Sequence, residues 1–124
     1  MNGYGIFFWK DGKVFKGNYK DDKKHDFGVY IKPDGKKYEG YWNNGLQSNL
    51  GRFTKKDGSF KIGIWRDNQL AEVYSSESEY YLMKSKEINN LVDANNEKID
   101  SAIDNLRSVF NIYLPNSNIE DLLE

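Results

Sequence analysis

Between residues 4 and 65 the chain breaks into six short runs rich in aromatic and β-branched side chains, at residues 4–9, 14–19, 27–32, 37–42, 50–55 and 59–65. Runs of this length with period-two alternation predict strands. Asp11-Gly12, Asp34-Gly35 and Asp57-Gly58 separate the members of each pair. These residues tolerate positive φ, so each pair reads as an antiparallel β-hairpin. Residues 20–26 and 43–49 are left as connectors. The pattern recurs every 23 residues: Gly5, Gly28 and Gly51 obey the step, as do Gly17, Gly40 and Gly63, and Tyr19, Trp42 and Trp65. A fixed period means that each unit buries its apolar face only by stacking on its neighbours. Two further columns, Gly3/Asp26/Asn49 and Asp22/Gly45/Asn68, hold the residues that enter the left-handed region most cheaply. Both are predicted to be backbone turn positions.

Alternation assigns the faces. One face carries Phe7, Trp9, Phe15 and Tyr19 around Gly5 and Gly17, and the next hairpin adds Tyr30, Tyr38 and Trp42 around Gly28 and Gly40. A glycine between two aromatics leaves room for rings to lie over the backbone. Such a stripe serves either as an internal ladder or as a platform for a guest. Trp9, Tyr19, Tyr30, Tyr38, Trp42, Phe53 and Trp65 are the candidate partner-binding residues. A helix or an extended peptide would suit the groove between them.

Tyr38-Glu39-Gly40-Tyr41-Trp42-Asn43-Asn44-Gly45, followed by Leu50-Gly51-Arg52-Phe53, resembles a MORN repeat. Phe15-Lys16-Gly17-Asn18-Tyr19 and Ile62-Gly63-Ile64-Trp65 match more loosely, so the resemblance spans three copies from residue 3 to about residue 67. It implies a meander of β-hairpins used in scaffolding, membrane-proximal or cytoskeletal assemblies, sometimes appended to kinases or methyltransferases. Family membership does not set one biochemical role.

The last hairpin departs from the pattern. Lys61 stands where Phe15 and Tyr38 stand earlier, while Phe60, Ile62 and Ile64 make the opposite face apolar. The equivalent Lys37, Glu39 and Tyr41 read as solvated. A cover is therefore expected over Phe60, Ile62 and Ile64 at this end of the ribbon, and the following chain is the candidate. Ser76 and Glu79 have capping-box spacing ahead of a heptad seam of Ile88, Val92, Asn95, Ile99, Ala102, Leu106, Val109 and Tyr113, widened by Leu91, Ile103 and Phe110. One long helix fits, as do two helices broken near residues 93–96. Asn95 would then mark the break or set register in a coiled coil. Pro115 should stop the helix, and Ser117 with Glu120 could cap a last short turn. Ile88, Val92, Ile99, Leu106, Val109, Phe110 and Tyr113 are candidates for association with a second chain. The fold class expected is a mainly β repeat ribbon over residues 1–70, a meander of three antiparallel hairpins, with an acidic amphipathic helical extension over residues 71–124.

Charge sharpens the division. Residues 1–70 hold 14 Lys plus Arg against 8 Asp plus Glu, whereas residues 71–124 hold 4 against 11. The ribbon either meets the acidic helix or meets an anionic surface. Lys10, Lys16, Lys36 and Lys37 are the candidates for acidic phospholipid, where each basic residue contributes ~1 kcal/mol. Nucleic acid is not expected, because the stripe has no arginine and its rings are committed to stacking. The single histidine, His25, lies in a connector, and no cysteine is present. Thiolate and disulfide chemistry are thereby excluded. No cofactor, metal, small-molecule substrate or catalytic residue is expected. No secretory signal or spanning segment is apparent, so a cytoplasmic protein is expected, associated with cytoskeleton or a membrane surface. The leading reading is a non-catalytic scaffold that binds a partner protein or itself. A lipid-surface module and a regulatory fragment of a larger enzyme are the alternatives.

Overall fold

The computed structural model describes residues 2–110, with side chains through residue 106. Seven strands form one antiparallel sheet in sequence order: β1 (Gly3–Phe8), β2 (Val14–Lys20), β3 (Lys23–Ile31), β4 (Lys37–Asn43), β5 (Leu46–Thr54), β6 (Phe60–Arg66) and β7 (Gln69–Val73). One helix, α1 (Glu79–Phe110), follows. The result is a β meander with a C-terminal helix.

Two kinds of turn alternate. At the Asp-Gly turns only the glycine takes positive φ, 95° at Gly12, 93° at Gly35 and 89° at Gly58. The aspartate instead accepts the backbone N–H two residues on, at 3.1 Å from Lys13, 3.0 Å from Lys36 and 2.9 Å from Ser59. The anticipated connectors are not loops. Asp21-Asp22, Asn44-Gly45 and Asp67-Asn68 each place two successive residues at positive φ. That is the mirror-image two-residue turn that matches strand twist, so strands run into it from both sides. Six-strand pairing thereby becomes seven, and β7 is a strand the sequence pattern did not mark. The column Gly3, Asp26, Asn49 also lies at positive φ, 104°, 60° and 61°. Asp26 and Asn49 sit at the register shifts of the β2/β3 and β4/β5 pairs, where the extra residue bends the strand.

The helix lies across one face of the sheet, opposite the aromatic stripe. Tyr81 stacks on Phe60 of β6 with centroids 6.2 Å apart. Arg52 Nη1 of β5 donates to Asn89 Oδ1 at 2.8 Å, Asn95 Nδ2 donates to the Lys16 carbonyl of β2 at 3.0 Å, and the Lys98 ammonium sits 5.4 Å over the Tyr4 ring of β1. From Tyr81 to Lys98 a helix rises about 26 Å at ~1.5 Å per residue. Five strand spacings of ~4.8 Å come to about 24 Å. One helix therefore crosses the sheet from β6 to β1.

This corrects several expectations. The cover extends over the whole face and not only the last hairpin: Phe27, Val29, Leu50, Ile62 and Ile88 form its buried core. Ile62 is fully buried and Ile64 packs against this cluster, while Phe60 stays partly exposed beneath Tyr81. Tyr41 joins the same core, and Glu39 is 4% exposed, so neither is solvated. Glu39 is held by a two-pronged bond from Arg52, Nε to Oε1 at 3.0 Å and Nη2 to Oε2 at 3.1 Å. The helix is unbroken at residues 93–96. Asn95 is buried and caps a sheet carbonyl beside the β2/β3 bulge, which accounts for a polar residue in the seam. Ser78, not Ser76, caps the helix, its Oγ accepting from the Tyr80 N–H at 3.2 Å. Ile88 and Ile99 are buried and Val92 packs on the sheet core, whereas Leu106 is 54% exposed. The side chains of Val109 and Phe110, and Tyr113, Pro115, Ser117 and Glu120 entirely, lie outside the described residues.

Candidate interaction surface

The face left uncovered by α1 is built from rings lying on glycines. The Phe15 ring lies over Gly17 and Gly28, and the Tyr38 ring over Gly40 and Gly51; a Cβ at Gly28 would stand 2.5 Å from the Phe15 ring, and one at Gly40 2.5 Å from the Tyr38 hydroxyl. Only glycine permits these approaches. Tyr38 donates its hydroxyl to the Tyr41 carbonyl at 3.1 Å, and burial holds that hydroxyl's pKa well above the ordinary tyrosine range. Trp42 meets Phe15 edge-on at 5.6 Å and Tyr38 at 5.2 Å, and its Nε1 donates to the Gly28 carbonyl at 3.3 Å. Trp65 continues the ladder from Tyr38 at 5.2 Å. Each such pair contributes ~0.5–1.5 kcal/mol beyond burial.

The seven candidate anchors therefore fall into two sets. Tyr19, Tyr38, Trp42 and Trp65 are buried and make the core of this face. Trp9 is 38% exposed, and Tyr30 and Phe53 are partly buried against that core. Between Tyr30 and Phe53 lies a groove of about 240 Å³, walled also by Trp42 and Tyr38.

Lys24 occupies this groove, a feature that sequence reasoning passed over as part of a connector. Its ammonium stands 4.9 Å from the Tyr30 centroid, 5.3 Å from Trp9, 5.3 Å from Trp42 and 5.5 Å from Phe15. Burial lowers its pKa, and the nearby Lys13 lowers it further. The position is set by the repeat: Lys24 pairs with Tyr19, Gln47 with Trp42 and Leu70 with Trp65. Its carbonyl also accepts the N–H of Gly45 at 2.9 Å, tying one turn to the next unit. The available signal was this column, 23 residues per step, opposite the aromatic one. At the far end Leu70 packs into the aromatic cluster beside Gly63 and takes up the space an aromatic in place of Lys61 would fill.

The candidate lipid lysines are divided between the faces. Lys16 alternates onto the helix side, where its carbonyl accepts from Asn95. Lys36 and Lys37 both line the groove, although Lys36 lies 3.5 Å from Asp34 and Lys37 reaches to 3.6 Å from Glu39, and Lys10 belongs to a hairpin turn. His25 Nε2 is 3.6 Å from Asp26. Among the described residues no group of three or more His, Cys, Asp or Glu could hold a metal, and no helix is long and apolar enough to cross a membrane.

A 23-residue unit, one open antiparallel layer and a ladder of rings seated on glycines define a β-hairpin repeat sheet with a helix on one face. The MORN repeat model matches residues 1–14, 15–37 and 38–60, so the chain carries MORN repeats over these residues. The second and third matches open on Phe15 and Tyr38, and the next unit would open on Lys61, where the pattern departs. No curated protein matches the chain. MORN repeats are in general protein- or membrane-interaction modules and are not enzymatic.

Proposed function

We propose that this chain is a non-catalytic scaffold module that holds a segment of a partner protein on the aromatic face of its sheet. One observation carries the reading: α1 covers the opposite face, and the face bearing Trp9, Tyr30 and Phe53 is left with a groove and no cover from the described residues. Aromatic anchors beside a groove are the side chains that dominate interface energetics. A second copy of the chain is a possible occupant as well as a different protein. The proposal sets the module in the cytoplasm, a compartment that suits a cysteine-free chain.

Trp9→Ser with Phe53→Ser alters the open rings and spares the buried ladder. Quantitative affinity purification from the native cells should lose the specific partners of the wild type at least tenfold, while Lys16→Ala on the helix side keeps them. Equal recovery by all three proteins would sink the proposal. Anionic membrane is the second reading, favoured by the excess of six basic residues over residues 1–70. Phosphatidylserine vesicles should then retain the protein at low salt and release it as ionic strength rises.

A further inference from the structure

We infer that Lys24 sets the specificity of the aromatic face by seating a carboxylate of an acidic protein segment, whose apolar side chains then run along the groove toward Leu70. The inference rests on reading this face as a protein-binding surface. An ammonium carries three donors, and rings satisfy it only through their faces. Lys13, Lys36, Lys37 and Arg52 each have a carboxylate at 2.9–3.6 Å. Lys24 is half-buried and forms no ion pair or side-chain hydrogen bond among the described residues. Its groove is also lined by Lys32, Lys36 and Lys37, and no carboxylate is among the lining residues. A carboxylate arriving from outside supplies the missing acceptor and offsets the repulsion from Lys13, which contributes to the lowered pKa.

The column also gives the guest a direction. Lys24, Gln47 and Leu70 are cationic, neutral and apolar at successive units. Two strands per unit at ~4.8 Å put them about 10 Å and about 19 Å apart. An extended segment advances ~3.3 Å per residue, so a carboxylate on Lys24 places the side chain six residues later near Leu70, on the same side of the segment. A bilayer supplies phosphates but no such order, and Lys16 faces the helix instead of this surface.

The probe is a terminally blocked heptapeptide, Glu-Ser-Leu-Ser-Leu-Ser-Leu, with its Gln-first and Lys-first counterparts. Binding is read from Trp9 and Trp42 fluorescence and from the NMR signal of the Lys24 Nζ. The Glu-first peptide should bind the wild type at least tenfold more tightly than the Gln-first one and shift the Lys24 signal. Lys24→Met, which keeps an unbranched chain over the rings, should erase that preference, and Lys24→Glu should transfer it to the Lys-first peptide. Equal binding of the Glu-first and Gln-first peptides overturns the role of Lys24 yet leaves the face a protein-binding surface. No Lys24 shift at millimolar peptide also overturns it, as does a shift produced by phosphatidylserine vesicles and not by peptide. Failure of the protein-binding reading itself shows separately, as undiminished partner recovery by the Trp9 and Phe53 variant.

Discussion

Tyr38 shows how single residues carry this sheet. Its ring fills the space above two glycines, Gly40 and Gly51, and its hydroxyl is spent on the Tyr41 carbonyl. A methyl at Gly40 would meet that hydroxyl and stand 2.7 Å from the Gly51 Cα, so Gly40→Ala should destabilise the protein by about 1–3 kcal/mol through overpacking. At Gly35 a methyl meets open space, and only the φ of 93° resists it, costing about 1 kcal/mol. Urea unfolding of both variants should reproduce that order. Tyr38 also titrates. Its folded pKa is raised by burial, so the unfolded chain loses the phenolic proton first as pH climbs past about 10. The unfolded state then binds fewer protons, and stability falls with rising pH by up to about 1.4 kcal/mol per unit. Tyr38→Phe should flatten the decline above pH 10, leaving the smaller part due to Tyr19, whose pKa is also raised by burial. The ring-on-glycine packing was legible in the sequence because both members recur at the same 23-residue step. Lys24 was not, since a lysine beside Lys23 and His25 reads as a solvated connector until the strand is known to continue through it.

At the scale of elements, turns were readable while bulges, strand ends and buried charge were not: Asp26 and Asn49 read as turn residues and lie at bulges inside β3 and β5. Gly, Asp and Asn columns marked positive φ because few other residues accept it. The strands' continuation into Asp21-Asp22 and Asp67-Asn68 was hidden, since those pairs lack the glycine that usually announces a two-residue turn. Glu39 misled for another reason: its acidity points to water, but its partner Arg52 lies on the neighbouring strand and is itself fixed by Asn89 of α1. Removing Arg52 leaves the buried Glu39 with only the longer contact from Lys37, at 3.6 Å. Arg52→Met should therefore cost about 3–5 kcal/mol, whereas Glu39→Leu with Arg52→Met should recover most of it. A double-mutant cycle by chemical denaturation measures the coupling, and additive losses would argue that the pair is not a unit.

Across the whole molecule, the opposite charges of ribbon and helix suggested electrostatic attraction, but their contact is of another kind. Among the described residues no ion pair joins α1 to the sheet; the ion pairs lie within the sheet or, as Lys84 with Glu87, within the helix. Apolar packing around Ile62 and Ile88, the side-chain amide bonds of Asn89 and Asn95 and the Lys98 ammonium over the Tyr4 ring hold the two together. The heptad seam was legible, and its destination was not, because an apolar stripe suits its own sheet and a second chain equally. With Ile88, Val92 and Ile99 taken up by the sheet, the case for association shifts to the helix end, residues 100–110, which continues about 18 Å after Lys98 reaches β1. Ile99→Asp buries an unpaired charge and should unfold the protein or lower its Tm by more than about 10 °C. Leu106→Asp should leave Tm within about 2 °C, and light scattering across a concentration series should give the variant a lower mass than the wild type wherever this end pairs with a second copy. Salt separates the two faces. Helix docking, being apolar, should hold Tm within about 3 °C between 0.05 and 0.5 M NaCl, while capture of an acidic segment through Lys24 should weaken severalfold over the same range as its charge is screened. A large salt-induced loss of Tm would show that the acidic helix is held by charge after all.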